Sequence, residues 1–125
     1  MSEFMIDVRG LRKNYGDFEA LKGVSFKIPR GEVVGFLGPN GAGKSTTMKI
    51  LTGFIPPSSG TAKIAGYDIV EQSLQARKHI GYLPETVPLY EDMAVSDYLT
   101  FMGQIRGMSS SQVKTRIDEV VQLCR

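Results

Sequence analysis

Residues 38–45 read Gly38-Pro39-Asn40-Gly41-Ala42-Gly43-Lys44-Ser45 and match the phosphate-binding pattern G-x-x-x-x-G-K-[ST] at every fixed position. An apolar run, Glu-Val-Val-Gly-Phe-Leu at 32–37, comes directly before this loop and is typical of a buried strand. The residues after the loop can continue as a helix to about residue 52. A strand, a glycine-rich loop and a helix in this order are the context in which the pattern binds phosphate.

The residue types of the loop explain why it suits a nucleotide. Its glycines let the backbone turn so that successive N–H groups point into one concavity. Lys44 can reach the terminal phosphates, and the hydroxyl of Ser45 can bind Mg²⁺. The N–H groups of the first helical turn add positive potential. We therefore predict nucleotide binding, with a glycine-rich turn that binds no ligand as the alternative.

The composition is that of a globular protein about one domain in size. The 125 residues are 42% hydrophobic and 22% charged. A formal net charge of +2, with basic residues interleaved with acidic ones, does not favour nucleic acid as a partner. The apolar runs are far shorter than the roughly 20 residues that cross a bilayer, and no charged-then-apolar leader opens the chain. We expect a cytoplasmic protein.

The rest of the chain predicts antiparallel hairpins, a central parallel pair and a helical end. Strands are predicted at 4–9, 18–28, 32–37, 61–65 and 80–83. A short helix is predicted at 71–78 and another at 97–106 with Ser96 as its cap. A last helix begins with a capping box of Ser109 and Gln112.

Two features lead us to expect that the chain is part of a larger domain. The run at 32–37 is apolar on both faces, as in a covered parallel sheet, and only 80–83 offers a parallel neighbour. The last helix carries an apolar stripe to the second-last residue without a polar tail. Residues of this stripe are Val113, Ile117, Val120, Val121 and Cys124.

The succession of motifs resembles the N-terminal half of the ATP-binding subunit of ABC transporters. The resemblance covers residues 4 to about 107 and is carried by Asn14-Tyr15-Gly16, Leu21-Lys22-Gly23-Val24-Ser25-Phe26, the loop from Gly38 to Thr46, Thr52-Gly53, Ser59-Gly60 and Ile80-Gly81-Tyr82-Leu83-Pro84-Glu85. Pro84-Glu85 together with Pro88-Leu89-Tyr90 looks most like the branch that serves ABC-2 exporters.

This resemblance implies an α/β fold: a partial phosphate-loop NTPase core with an antiparallel β subdomain and the start of a helical subdomain. Residues 1–85 would form the β subdomain and the phosphate-loop half of the core, and 86–125 the beginning of the helical subdomain. The family places a Leu-Ser-Gly-Gly signature, a strand ending in Asp-Glu and a switch histidine later than these residues, and the chain contains none of them.

The resemblance also implies the site residues. Those that would bind ATP are Tyr15, Gly38, Pro39, Asn40, Gly41, Ala42, Gly43, Lys44, Ser45 and Thr46. Tyr15 matches the aromatic residue that stacks on adenine in the family. Thr46 matches the residue whose hydroxyl and N–H approach the α-phosphate, and Ser45 matches a Mg²⁺ ligand. Glu85 stands where the family usually has glutamine. The predicted catalytic residues are Lys44 and Glu85, and the predicted metal ligands are Ser45 and Glu85.

Two of these residues keep an alternative interpretation. A carboxylate only accepts hydrogen bonds, so Glu85 could coordinate Mg²⁺ but could not donate to a phosphate or water. It could instead be a solvated loop acid. Tyr15 could be an ordinary core or turn residue.

By resemblance, the parent protein would bind MgATP and hydrolyse it to power transport through a separate transmembrane permease subunit. Two ATP-binding subunits would form a head-to-tail dimer, peripheral on the inner face of the cell membrane. Phosphoryl transfer to water needs groups that this chain lacks, so we expect the chain alone to bind nucleotide weakly and without turnover.

Two other functions remain as alternatives. An ABC-type ATPase without a transport role, such as a translation or DNA-repair factor, would predict long insertions or a second phosphate loop, and the sequence shows neither. The interleaving of basic with acidic residues also argues against it. A non-enzymatic interaction module would keep the fold without using ATP, and the intact Lys44 and Ser45 argue against it.

Overall fold

The computed structural model describes residues 3–39, 41, 43–86 and 89–124. They form two units, the first ending at Tyr82 and the second beginning at Leu83. The strands are β1 (Phe4–Tyr15), β2 (Phe18–Pro29), β3 (Ser59–Ile64) and β4 (Tyr67–Asp68). The helices are α1 (Lys44–Leu51), α2 (Ser73–Arg77), α3 (Val95–Ile105) and α4 (Ser110–Leu123).

The first unit is built on an antiparallel sheet of order β2-β1-β3-β4, which confirms the predicted antiparallel β subdomain. Its central strand is longer than predicted, because β1 does not end at Gly10. Gly10 instead forms a bulge: it takes a φ of 58°, the register shifts between Val8 and Leu11, and its N–H donates to Ser25 Oγ at 2.8 Å. A bulge absorbs the extra residue, so the strand continues to Tyr15.

A close backbone crossing fixes the start of β3, which begins two residues earlier than predicted, at Ser59. Gly60 has a φ of +83°, and a Cβ on it would lie 2.2 Å from the carbonyl oxygen of Gly10. Only glycine can bring β3 this near to the bulge of β1.

The core of the first unit lies between this sheet and α1 and α2, whose predicted presence is confirmed. Ile50 and Leu51 of α1 are buried against apolar residues of the strands. The buried apolar residues of this core are Val8, Leu11, Leu21, Ile50, Leu51, Ala62, Ile64, Ile69 and Ala76. Helix α1 is therefore held on the sheet by its own last turn.

The predicted strands at 32–37 and 80–83 are wrong: neither segment is a strand in the structure. Residues 32–37 are exposed throughout, with Leu37 at 92%, and Tyr82 and Leu83 are exposed as well. Among the described residues no further strand lies beside either segment, and an isolated parallel pair buries too little apolar surface to offset the backbone entropy of ordering it.

The second unit is a pair of helices. Helix α4 begins with the predicted capping box: Gln112 N–H donates to Ser109 Oγ, and Ser109 N–H donates to Gln112 Oε1 at 2.8 Å. The cap predicted for α3 is wrong, because Ala94 is its N-cap and Ser96 lies inside the first turn. Of the predicted stripe on α4, Val113 is buried, whereas Val121 and Cys124 are exposed.

Candidate functional site

The phosphate loop leads into α1 through a glycine that no other residue could replace. Gly43 is the N-cap of α1 with a φ of 95° in the left-handed region. A Cβ on Gly43 would lie 2.9 Å from the carbonyl oxygen of Ala20 and 2.8 Å from Cδ1 of Leu21. The end of the loop is thus pressed against β2, and the sheet sets its position.

The first turn of α1 is fixed from inside by Thr47, which is fully buried. Both its backbone N–H and its hydroxyl donate to the carbonyl oxygen of Gly43, at 2.9 Å and 2.8 Å. The N–H groups that precede Thr47 in the helix have no acceptor within it, because helix geometry leaves the first ones without a partner. N–H groups of this kind make a helix N-terminus suited to bind an anion.

Lys44 reaches back over the loop. Its ammonium group donates a hydrogen bond to the carbonyl oxygen of Gly38, six residues earlier. The positive charge therefore lies between the two ends of the loop, and a bound phosphate would compete with a neutral carbonyl for it. A phosphate oxygen is the stronger partner, because both groups of that hydrogen bond are charged.

A pocket of about 160 Å³ lies at this end of α1. Its lining consists of Phe18, Ala20, Gly41, Gly43, Lys44, Ser45 and Thr46. The structure therefore brings five of the predicted site residues together with two residues of β2 that the sequence analysis did not select. The sequence signal for Phe18 was the two-residue turn after Tyr15, which sets the two aromatic residues opposite each other.

Tyr15 is the last residue of β1 and pairs with Phe18 of β2. The tyrosine is 49% exposed. The ammonium group of Lys13 lies over its ring, 5.5 Å from the centroid, and donates to the carbonyl oxygen of Pro56 at 2.8 Å. Tyr15 is therefore a half-exposed residue at the end of a hairpin.

The remaining predicted residues are distributed as follows. Gly38 and Pro39 are exposed and lie outside any helix or strand. Glu85 is exposed and belongs to the second unit. Asn40 and Ala42 lie outside the described residues. Among the described residues, no group of three or more His, Cys, Asp or Glu side chains could hold a metal ion by itself.

The shifted pKa values belong to an ion pair on β1. Two hydrogen bonds from Arg9 to Asp7, at 3.2 Å and 3.0 Å, lower the pKa of the Asp7 carboxyl and raise that of the Arg9 guanidinium. The cross-strand neighbours Lys27 and Lys63 lower the pKa of Asp7 further. This ion pair joins two residues of one strand and includes none of the predicted site residues.

Comparisons with known proteins agree with this architecture. The family described as ABC transporter matches residues 21–124. The chain is 40% identical to a probable multidrug ABC transporter ATP-binding protein, YbhF of Escherichia coli K12, over 97% of the chain and 22% of that protein. It is 36% identical to the linearmycin resistance ATP-binding protein LnrL of Bacillus subtilis 168, over 94% of the chain and 38% of that protein.

A solved structure of the ATP binding subunit of an ABC transporter superposes with a TM-score of 0.77 at 34% identity, over 86% of the chain and 45% of that subunit. The chain therefore belongs to the ABC transporter family, as the sequence analysis predicted. It spans less than two fifths of the length of the two curated relatives described above. Among the described residues, no helix is both long enough and apolar enough to cross a membrane.

Proposed function

We propose that this chain is the nucleotide-binding part of the ATP-binding subunit of an ABC transporter and that it binds MgATP at the pocket beside α1. The observation that supports this most directly is the pocket itself, where Lys44, Ser45 and Thr46 line a space next to the loop glycines. A fixed helix N-terminus and a lysine held over the loop are suited to the phosphates of a nucleotide.

Each loop residue has a role in this proposal. Lys44 leaves the Gly38 carbonyl and pairs with the β- and γ-phosphates, while Thr46 and the backbone N–H groups bind the α-phosphate side. Gly38 and Pro39 belong to the same loop, and the loop pattern assigns Asn40 and Ala42, which lie outside the described residues, to nucleotide binding as well. Ser45 is part of the pocket lining, so its hydroxyl can reach a metal. Mg²⁺ bound there would neutralise phosphate charge, with phosphate oxygens and water completing its shell.

The nucleoside and the reacting water involve residues outside the loop. The exposed ring of Tyr15 stacks on adenine, because an aromatic side chain can stack on the π-face of a nucleobase. Glu85 is a ligand of Mg²⁺ or orients the attacking water in the complete subunit. We assign residues 1–85 to the β subdomain and phosphate-loop half of the core, and 86–125 to the beginning of the helical subdomain.

The complete subunit hydrolyses ATP and drives transport through a separate permease, working as a head-to-tail dimer on the cytoplasmic face of the membrane. Relatives named for multidrug transport and for linearmycin resistance support an exporter. The isolated chain binds nucleotide without turnover.

A titration of the chain with MgATP, followed by calorimetry, tests the proposal. Lys44→Ala should raise the Kd at least about tenfold, because a charge-assisted contact to phosphate is lost. Lys49→Ala is the matched control: Lys49 is exposed on the last turn of the same helix, so its variant should bind like the wild type. Equal affinity of the Lys44→Ala and Lys49→Ala variants would contradict the proposed site.

A further inference from the structure

We propose that Phe18 forms a second aromatic wall of the nucleoside part of this site, beside Tyr15. The inference rests on the proposed function, because it needs a nucleotide whose phosphates lie at the N-terminus of α1. It assigns a role to a residue that the phosphate-loop pattern does not contain, at the start of β2.

The hairpin sets the direction of both rings. Tyr15 and Phe18 are direct partners across the turn of β1 and β2. Directly opposite residues of an antiparallel pair have their side chains on the same face of the sheet, about 5 Å apart at Cβ. An aromatic group that reaches Tyr15 from this face therefore also meets Phe18.

The pocket shows which of the two rings lies next to the phosphate loop. Phe18 lines it together with Lys44, Ser45 and Thr46, whereas Tyr15 is not among its lining residues. Ala20, two residues further on the same face of β2, lines the pocket as well. The nucleoside must start where the α-phosphate ends, and the aromatic residue of β2 that lines the pocket there is Phe18.

The position of Phe18 relative to the loop is also fixed. Gly43 has no room for a Cβ between itself and Ala20, so the loop and the start of β2 are in direct backbone contact. Phe18 lies two residues from that contact. A ring held this close to the anion site can contact the sugar or the base each time that a nucleotide binds.

The ring of Phe18 has more apolar surface available for contact with a nucleoside than the ring of Tyr15. Phe18 is 66% exposed. One face of Tyr15 is covered by the Lys13 ammonium, which the Pro56 carbonyl holds in place. Tyr15 therefore offers its other face to the base, and contact with Phe18 would remove a second aromatic surface from water.

Two ligands separate this role from phosphate binding: MgATP, and magnesium tripolyphosphate, which carries the same phosphate chain without a nucleoside. In the Phe18→Ala variant, the Kd for MgATP should rise about fivefold to tenfold, a typical loss for one aromatic contact. The Kd for tripolyphosphate should stay within about twofold of the wild type, because the loop is unchanged. Unchanged tripolyphosphate binding also shows that the variant has folded.

A second phenylalanine serves as the matched control. Phe54 is also 66% exposed, but it packs against Tyr82 with ring centroids 5.6 Å apart and does not line the pocket. Phe54→Ala should bind both ligands like the wild type. Tyr15→Ala should weaken MgATP alone, and the double variant with Phe18→Ala should weaken it more than either change by itself.

Each outcome decides between the two claims. Wild-type affinity of Phe18→Ala for MgATP would overturn the role of Phe18 and leave the proposed function intact. Loss of both ligands in Phe18→Ala would also overturn it, because the residue would then act by supporting the loop. Failure of the wild-type chain to bind either ligand would overturn the proposed function, and the role of Phe18 with it.

Discussion

The sheet strands β1, β2 and β3 and the two apolar segments at 32–37 and 80–83 are all predicted as strands from the sequence, and only the first three are strands in the structure. Both groups contain β-branched and aromatic residues, yet Leu11 of β1 is completely buried and Leu37 is 92% exposed. The strands of the sheet find partners within the described residues: β1 pairs with β2 on one side and β3 on the other. The two segments form no strand there.

This difference shows that apolar character alone does not make a strand. A strand needs hydrogen-bonded neighbours for its backbone and cover for its faces, and a hairpin supplies the first neighbour across a turn of two residues. A parallel strand that is apolar on both faces needs neighbours from distant parts of a sheet and helices on both sides. The phosphate loop depends on the first arrangement, since Gly43 lies against Ala20 and Leu21 of β2.

The largest expected effect comes from a matched pair of leucine truncations. Leu11→Ala should lower the free energy of unfolding by about 2–5 kcal/mol, because it leaves a cavity in the core between the sheet and α1. Leu37→Ala should change it by less than about 0.5 kcal/mol, because the side chain is exposed. Urea unfolding followed by circular dichroism measures both. A large loss in Leu37→Ala would show that residues 32–37 are packed in solution and would contradict the difference between the sheet and this segment.

A pair of glycine substitutions tests the same contrast through the backbone. In Gly60→Ala the new Cβ would meet the Gly10 carbonyl at 2.2 Å in a left-handed conformation, so β3 must move and stability should fall by about 1–3 kcal/mol. Gly81→Ala should have little effect, because among the described residues no atom beyond its chain neighbours lies within 4 Å of the place that its Cβ would take. Thermal unfolding measures both variants, and the midpoint of Gly60→Ala should be lower than that of Gly81→Ala. Equal midpoints would contradict the close crossing of β1 and β3.

The smallest effect concerns the pH dependence of the sheet. The Arg9 hydrogen bonds lower the pKa of Asp7 in the folded chain, so this carboxylate stabilises the fold at any pH above its pKa in the unfolded chain. That stabilisation is lost as the pH falls through the lower, folded value. Asp7→Asn and Arg9→Gln should each reduce the loss of stability between neutral and acidic pH. Unfolding curves at several pH values test this, and wild-type slopes in both variants would refute it.

Features encoded within a few residues could be predicted from the sequence. The phosphate-loop pattern predicted a helix directly after the glycine-rich loop, which is α1, and the spacing of Ser109 and Gln112 predicted the capping box of α4. The succession of strand-type runs predicted antiparallel hairpins, and β1 and β2 form one. Each of these depends on hydrogen bonds between neighbours in the chain.

Features that depend on pairing between distant residues could not be predicted. The bulge at Gly10 depends on the register of β1 against β2. The N–H of Gly10 donates a hydrogen bond to Ser25, which lies fifteen residues later in the chain. The place of Phe18 in the pocket depends on the contact of β2 with Gly43, which no local pattern contains. Whether residues 32–37 form a strand depends on neighbouring strands in a sheet, and the composition of this segment does not specify those neighbours.

The most direct test of the account is the thermal unfolding midpoint of the chain with and without MgATP. A ligand that binds only the folded state must raise stability, so the midpoint should rise with MgATP concentration in the wild type and rise much less at the same concentrations in Lys44→Ala, whose Kd is at least about tenfold higher. A wild-type midpoint that does not change with MgATP would contradict the central claim, that the phosphate loop formed on the antiparallel sheet binds nucleotide.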